Sequence, residues 1–445
     1  DVLILPHSYL ATHQQSDERR PHLVVIDESF YEILVGHDSL RASELKGVIN
    51  DNAMQVLHSV IEAEPKSLKG FFDLLGQHWG AAEIQALRSY ENKWDKVKRH
   101  AIISPSDCSN EIKKKQQVLG KVNKKQYLLV KELLKRFDLW EKHSHLGKKD
   151  FTLLNGEIHF HRHHMNINDF KSNRMTSFLG FDKNGKEYKN IAVPILYIDG
   201  TGNSDIVKRM LGARAKLIEI NAKRNLFVTQ CHSSMFSKAE AEKTGSELHR
   251  AWAVVINRVA ESNFKRYQER TLLVTYKSLE NDKNFRGKLS KHVEVEHFKN
   301  IRGLDKYSQY HVIILGRHQI NTHDIIINAI DLFGYQSDFS EQEHTYIDNA
   351  VDDSFGSRDV YYLMDGGEPV VGSENYFSYQ PFNVTMMQHR ENESTQGLAR
   401  IRDVWSEHKK NVLILSSLAL DVTVNHTLSW PELNVKGDES ILMAA

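Results

Sequence analysis

Two adjacent acids, Asp27 and Glu28, directly follow the short apolar run at residues 23–26. Unbroken aliphatic runs are typical of strands covered on both faces, as in parallel α/β sheets. Acids at the carboxyl end of such a strand emerge where α/β folds bind ligands. In a nucleotide hydrolase, Asp27 would position Mg²⁺ through its water shell, and Glu28 would orient and deprotonate the attacking water. The alternative is an ordinary strand-to-loop exit with two surface acids.

A second acidic residue, Asp199, also ends an apolar run, at residues 191–198, and begins the turn Asp199-Gly200-Thr201-Gly202. Glycines allow the backbone of such a turn to approach a ligand closely. The Thr201 hydroxyl could then relay movement between two parts of the protein. A plain strand-to-helix turn is the alternative.

Two arginines, Arg400 and Arg402, follow Gln396 and precede an apolar run at residues 411–415. We predict a helix over residues 397–409, with both arginines exposed near its start. Positions two apart on a helix do not face the same way. One arginine could therefore reach a γ-phosphate while the other contacts a neighbouring loop; the alternative is a pair of surface arginines.

A histidine cluster indicates a different chemistry. His159, His161, His163 and His164 lie within six residues. In a strand, the first three would share one face, and three imidazoles on one face could bind zinc. Histidines that are merely packed or solvated are the alternative, because the chain has 24 of them.

The elements that must position these residues alternate along the chain. Apolar runs predict strands at residues 2–5, 23–26, 191–198, 271–275, 312–315 and 411–415, and helices are predicted at 238–261, 324–332 and 397–409. Such alternation is typical of a mostly parallel α/β sheet. A polar stretch near 216–240 is predicted to join two such sheets.

Residues 36–150 differ in character, because their pattern is helical and contains few glycines or prolines. Within them, residues 111–150 hold 12 Lys or Arg against 5 Asp or Glu. This excess indicates either a solvated helical face or a surface that contacts nucleic acid.

Taken together, the chemical groups resemble the motifs of superfamily 2 helicases, which include the DEAD-box motors. Asp27-Glu28 is similar to the acidic motif II, and the turn at residues 199–201 to motif III, usually Ser-Ala-Thr. The segment Arg302-Gly303-Leu304-Asp305 resembles motif V. The resemblance covers roughly residues 1–35 and 190–425, and the divergent set is similar to primase–helicase proteins of phages and mobile elements.

Two further motifs complete the resemblance. Gln396, Arg400 and Arg402 are similar to motif VI, usually Gln-x-x-Gly-Arg-x-x-Arg, although Ala399 replaces the glycine and the last arginine lies one residue closer. The segment at residues 275–277, after its predicted strand, has the place of motif IV. Which of Arg400 and Arg402 is the arginine finger, the residue that contacts the γ-phosphate, stays open.

The resemblance implies an α/β protein with two RecA-like parallel-sheet lobes, a helical insertion in the first lobe, and ATP with Mg²⁺ between the lobes. It implies these bounds: residues 1–35 for part of the first lobe, 36–190 for the insertion, 191–215 for the end of that lobe, 216–430 for the second lobe and 431–445 for a tail. The implied catalytic residues are Glu28, Gln396, Arg400 and Arg402. The implied nucleotide-binding residues are Asp27 (through Mg²⁺), Gly303 and Asp305, and the coupling residues are Asp199 and Thr201. The implied nucleic-acid contacts are Thr275, Lys277 and Arg302.

The implied activity is therefore an ATP-dependent helicase or translocase, acting on single- or double-stranded nucleic acid, with DNA favoured over RNA. Two alternatives stay open: a catalytically inactive nucleic-acid-binding protein of helicase fold, and a metal-dependent nuclease that uses the histidine cluster. The two cysteines of the chain are too few for a disulfide framework or a multi-cysteine zinc module, and no apolar run approaches membrane-spanning length, so we expect a cytoplasmic protein.

A helicase needs the phosphate-binding loop Gly-x-x-x-x-Gly-Lys-Ser/Thr, whose amides and lysine hold the phosphates. No Gly-Lys pair of this chain is followed by Ser or Thr; the pairs are Gly120-Lys121, Gly147-Lys148, Gly185-Lys186 and Gly287-Lys288. We therefore expect the loop to lie upstream of residue 1, and residues 1–445 alone to hydrolyse no ATP.

Overall fold

The structure is a computed structural model with two compact units. It describes most of residues 194–435, with gaps at 212–214, 221, 235, 244, 302–303, 334–355 and 367–368; upstream it describes residues 23–27, several strands and scattered helical positions between 55 and 138. The first unit comprises Asp1–Ile26, Phe30–Tyr197 and His323–Ser354. The second comprises Asp27–Ser29, Ile198–Thr322 and Phe355–Ala445.

Three small sheets lie among the described residues up to residue 198. Their strands are β1 (Val24–Asp27), β2 (His37–Arg41), β3 (Phe151–Leu154), β4 (Glu157–His161), β5 (Ser177–Phe181), β6 (Glu187–Ala192) and β7 (Ile195–Ile198). β1 pairs with β7, β2-β4-β3 form an antiparallel sheet, and β5 pairs with β6 antiparallel. The strand predicted at 191–198 is thus divided between β6 and β7 near Pro194, because proline has no N–H to donate to a ladder.

Helical residues lie among the described positions between 55 and 138, as the pattern of residues 36–150 predicts. Leu87 and Leu134 are buried there, and Arg88 forms an ion pair with Asp138. Residues 36–190 also contain β2 to β5 and the start of β6, which the sequence pattern did not predict. The strand predicted at residues 2–5 lies outside the described residues.

A six-stranded parallel sheet forms the centre of the second unit. The strands after β7 are β8 (Leu226–Cys231), β9 (Arg270–Thr275), β10 (Val293–His297), β11 (Tyr310–Leu315), β12 (Gly356–Tyr361), β13 (Val371–Tyr376), β14 (Lys410–Leu415) and β15 (His426–Leu428). The sheet order is β10-β9-β11-β14-β8-β15, and every pair in it is parallel. β12 and β13 form a separate antiparallel hairpin. The predicted α/β class and the strands at 271–275, 312–315 and 411–415 are therefore confirmed.

The helices with defined bounds are α1 (Ser204–Leu211), α2 (Lys238–Ala241), α3 (Glu247–Tyr267), α4 (Lys277–Asn281), α5 (Lys283–Arg286), α6 (Thr322–Phe333), α7 (Gln380–Ala399) and α8 (Trp430–Val435). The helix predicted at 324–332 is confirmed by α6. The one predicted at 238–261 is two helices, α2 and α3. The second begins at Ser246, whose side chain accepts the His249 N–H.

Two predictions are wrong in this unit. The stretch 216–240 was predicted as a polar joint, but it contains β8, an interior strand of the sheet. The helix predicted over 397–409 is also displaced: α7 ends at Ala399, and only a short 3₁₀ turn (Asp403–Trp405) follows before β14. In the described part of the chain, no helix has the length and apolarity to cross a membrane.

Candidate functional site

The carboxyl-terminal end of α7 carries Gln396 and leads directly to Arg400 and Arg402, three of the residues predicted to be catalytic. Gly397 lies so close to the sheet that an added Cβ would meet the side-chain tips of Ile301 and Ile314 at 3.2 Å. Glu393, one turn earlier and buried, accepts the backbone N–H of Lys299 at 3.1 Å. The segment just before the motif V-like residues therefore packs directly against the motif VI-like helix.

A chain of hydrogen bonds joins this helix to the turn at Asp199. The Gln396 amide donates to Thr201 Oγ1 at 2.9 Å, and that hydroxyl lies 3.1 Å from Asp199 Oδ1, to which it donates. Asp199 Oδ1 also accepts the Thr201 N–H at 2.8 Å. Asn392, one turn before Gln396, donates to the Thr201 carbonyl. Residues 195 positions apart in sequence are thus brought into contact.

Arg402 forms an ion pair with Asp305, so the last arginine of the motif VI-like segment contacts the acid of the motif V-like segment. Both side chains are open to solvent, with 45% of Arg402 and 73% of Asp305 exposed. Arg402 also has a φ of 51°, in the left-handed region that non-glycine residues rarely adopt. An exposed pair of this kind can exchange the carboxylate for a phosphate without a large desolvation cost.

Arg400 differs from the prediction that both arginines are exposed. It is the cap residue at the end of α7, its N–H faces the Gly397 carbonyl at 3.4 Å, and only 9% of it is exposed. The expectation was wrong for Arg400 because the helix lies before it rather than after it. Arg400 is therefore largely shielded from solvent, whereas the Arg402 side chain is exposed.

Acids and tyrosines hold the loop that carries Asp305. The Lys306 ammonium lies 2.9 Å from Glu294 Oε1, and the hydroxyls of Tyr307 and Tyr310 donate to Glu294 at 3.2 and 3.0 Å. Burial alone would raise the pKa of Glu294, but hydrogen bonds from Lys306 and Tyr310 outweigh it and lower the pKa. Burial, followed by the hydrogen bond to Glu296, raises the pKa of Tyr307. These contacts fix the position of Asp305 along the loop.

The structure describes only some of the other predicted site residues. Asp27 ends β1 and is exposed, whereas Glu28, Arg302 and Gly303 lie outside the described residues. Lys277 is exposed at the start of α4. Thr275 is fully buried, and its hydroxyl donates to the Leu315 carbonyl at 3.2 Å, so the structure places it in the core.

The histidine cluster is described only in part. His159 and His161 lie on β4, where they pair in register with Ser39 and His37 of β2. The strand ends at His161, and His163 and His164 lie outside the described residues. A face shared by three strand histidines therefore has no support in the described part of the chain.

A second cluster, which sequence reasoning did not find, lies at the amino ends of three adjacent strands. Glu269, His311 and His408 bring one potential metal-ligand atom each to within 4.8 Å of one another. The Lys410 ammonium, however, already lies 2.5 Å from Glu269 Oε2. No signal in the sequence predicts this cluster, because only the parallel strand order brings residues 269, 311 and 408 together.

The hydrogen bonds of this amino-end cluster argue against a metal. His311 Nδ1 accepts the backbone N–H of Asn411 at 2.9 Å, which places the ring proton on Nε2, 3.4 Å from Glu269 Oε2. A metal at that nitrogen would need its lone pair and would have to displace Lys410. Burial, with Lys410 and His408 nearby, lowers the pKa of His311 to about 3, so the ring is neutral. We interpret the cluster as a structural network.

Comparison of the chain with protein-family models, with curated proteins and with solved structures gives no significant match. The function is therefore argued from the residues and their contacts.

Proposed function

We propose that this chain belongs to an ATP-driven nucleic-acid helicase or translocase, built of RecA-like lobes and acting on DNA rather than RNA. One observation carries the proposal: the segments that resemble motifs III and V both contact the segment that resembles motif VI, at the end of α7. The contacts are Thr201 with Gln396, Asp305 with Arg402, and Ile301 against Gly397. None of these contacts follows from nearness in sequence, and the resemblance requires all three segments at one nucleotide site.

The chemistry follows from what each side chain offers. Arg402 and Arg400 supply cationic groups for a γ-phosphate. An arginine that stabilises the charge of a transferring phosphoryl group is worth about 10³–10⁵ in rate in well-studied cases. Asp305 keeps Arg402 in position before nucleotide arrives, and the Gln396–Thr201 hydrogen bond fixes the turn that begins at Asp199. Bound Mg²⁺ would neutralise phosphate charge, and Asp27 would hold it through water.

Nucleic acid would be held by basic groups outside this cluster. Lys277 is exposed on α4, and residues 111–150 carry an excess of seven positive charges. Contacts with backbone phosphates release counterions, so binding would weaken as salt rises and would depend little on base sequence. Charge reversal of several lysines in residues 111–150 would then flatten the salt dependence.

The test is ATP hydrolysis in the presence of single-stranded DNA, in a version of the protein that includes a phosphate-binding loop. Arg400→Ala and Arg402→Ala should separate the finger from its neighbour: the true finger should lower kcat by about 10³-fold or more. Glu28→Gln should abolish hydrolysis and leave nucleotide binding intact. Arg358→Ala is the matched control, because Arg358 is an exposed arginine paired with Glu374 on the β12–β13 hairpin.

Unchanged turnover in both arginine variants and in Glu28→Gln would overturn the proposal. Hydrolysis by residues 1–445 alone would show that the phosphates are held without a Gly-x-x-x-x-Gly-Lys-Ser/Thr loop. If thermal melting shows that Arg400→Ala does not fold, Arg402→Ala and Arg400→Lys decide which arginine acts on the phosphate.

A further inference from the structure

An exposed tryptophan lies immediately beyond the candidate nucleotide arginines. Trp405 has 83% of its surface exposed, although tryptophan is highly buried on average. Its neighbour Val404 is also exposed, at 44%. Both belong to the 3₁₀ turn Asp403–Trp405, which follows Arg402 directly.

The turn that presents Trp405 is held firmly. Asp403 is 1% exposed and accepts hydrogen bonds from Arg224 Nε at 2.7 Å and from the Asn225 N–H at 3.2 Å. The backbone N–H of Trp405 donates to the Arg402 carbonyl at 3.0 Å, and the Asn225 side chain donates to the Ser406 carbonyl at 2.9 Å. The indole is therefore exposed from a fixed backbone, so a ligand that stacks on it need not order the loop.

Three chemically different groups thus lie close together: an aromatic face at Trp405, a cation at Arg402 and a carboxylate at Asp305. A 3₁₀ turn rises about 2 Å per residue, so the backbones of Arg402 and Trp405 are separated by only about 6 Å along it. The groups match the three parts of a nucleotide: a planar base, phosphates and sugar hydroxyls. A nucleotide offers one chemical group to each of these three side chains.

We propose that Trp405 is the platform on which the adenine base of the bound nucleotide stacks, which makes it a determinant of nucleotide affinity and specificity. The inference rests on the proposed function, because it takes the Arg402 end of the cluster as the phosphate end. A base of single-stranded DNA has the same stacking chemistry, and stacking on an aromatic side chain is tolerant of base identity. The experiment must therefore separate these two sources.

Calorimetric titration of the same loop-containing version with three ligands tests the proposal: ADP, tripolyphosphate (which has phosphates and no base) and an oligothymidylate. Trp405→Ala should weaken ADP binding about 10-fold, which is the lower part of the range for base stacking, and leave tripolyphosphate and oligothymidylate binding unchanged. Trp405→Phe should recover most of the ADP affinity. Trp430→Phe is the control, since Trp430 packs edge-on against Phe236 at 5.3 Å.

Tryptophan fluorescence gives a second measurement on the same samples. ADP should quench the wild-type chain and the Trp430→Phe variant, and the quenching should be lost in Trp405→Phe, which keeps a ring but not the indole. Trp405 is exposed, so the variants should melt at the wild-type temperature.

Three results would overturn the inference: no ADP binding by the loop-containing wild type, equal ADP affinity in Trp405→Ala, or weakening of oligothymidylate binding with ADP binding unchanged. The last would assign the platform to nucleic acid. The proposed function fails separately. If the arginine variants lose hydrolysis while Trp405→Ala binds ADP normally, only the stacking role is wrong; if ADP stacks on Trp405 but no loop-containing version hydrolyses ATP, only the motor is wrong.

Discussion

Two charged clusters of the second unit differ in how far solvent reaches them. At the amino ends of the strands, Lys410 is 1% exposed and Glu269 is 9% exposed, and their charges neutralise each other. At the end of α7, Arg402 and Asp305 are 45% and 73% exposed. The buried pair can stabilise the fold but cannot receive a ligand without breaking. The exposed pair contributes little to the fold and can exchange its partner.

The largest effect that separates the two clusters should be on stability. Lys410→Met leaves the Glu269 carboxylate buried without its cation, which costs about 3–5 kcal/mol when one partner of a buried pair is removed. Asp305→Asn removes an exposed pair and should cost about 0–1 kcal/mol. Urea unfolding of both variants measures the difference.

The double variant Lys410→Met with Glu269→Gln is the control for the first effect. It removes both charges, so it should recover part of the stability that Lys410→Met loses. Equal stability losses in Lys410→Met and Asp305→Asn would contradict the division into a structural and an available cluster.

The sequence pattern predicted the strands whose central residues are all apolar. The apolar runs in β9, β11 and β14 are unbroken, because these interior strands are covered on both faces. β8 was not predicted because Thr229 and Gln230 interrupt its run, although both side chains are buried. There, tertiary packing rather than local hydrophobicity decides the structure.

The helix α7 escaped prediction for a related reason. Buried polar residues such as Gln388, Arg390 and Ser394 lie among its buried apolar ones, so it shows no apolar stripe. Gly397 marks a close approach to Ile301 rather than a helix start. The candidate site could be anticipated from its residue types, whereas the pairing of Arg402 with Asp305 needed the fold. The exposure of Trp405 has no local sequence signal at all.

A pH effect on stability should arise from the buried cluster. His311 is fully buried and its pKa is lowered to about 3, while the unfolded chain titrates near the ordinary value of about 6.5. As pH falls below about 6.5, the unfolded state binds a proton that the folded state does not. Stability should therefore fall by about 1.4 kcal/mol per pH unit for this residue, until the folded ring titrates near pH 3.

Urea unfolding at pH 7 and at pH 5 measures this effect in the wild type and in His311→Asn. Asparagine offers an acceptor near the position of Nδ1 for the Asn411 N–H but cannot take up a proton. The variant should show a smaller loss between the two pH values, although Glu269, His408 and Lys410 face the same position and stay in both proteins. An identical pH dependence would remove His311 from the acid sensitivity of the fold.

The smallest effect concerns the backbone of Arg402. Its left-handed φ of 51° costs about 1–3 kcal/mol for a non-glycine residue, and such strain persists where the surrounding structure imposes it. Gln268, at the end of α3, has a similar φ of 57° and lies far from the candidate site in sequence.

Glycine relieves this strain at either position, and the gain in stability is offset in part by the greater freedom that glycine gives the unfolded chain. Arg402→Gly and Gln268→Gly should therefore both melt within a few degrees of the wild type or slightly above it. If Arg402 is the arginine finger, hydrolysis in a loop-containing version should fall sharply in Arg402→Gly alone, because only that variant loses the cation proposed to contact the phosphate. Arg402→Ala keeps the strain and also loses the cation, so it should be less stable than Arg402→Gly and equally inactive. If Arg402→Gly retained full hydrolysis, the strained backbone would be a feature of the turn leading to Trp405, and Arg400 would be the finger.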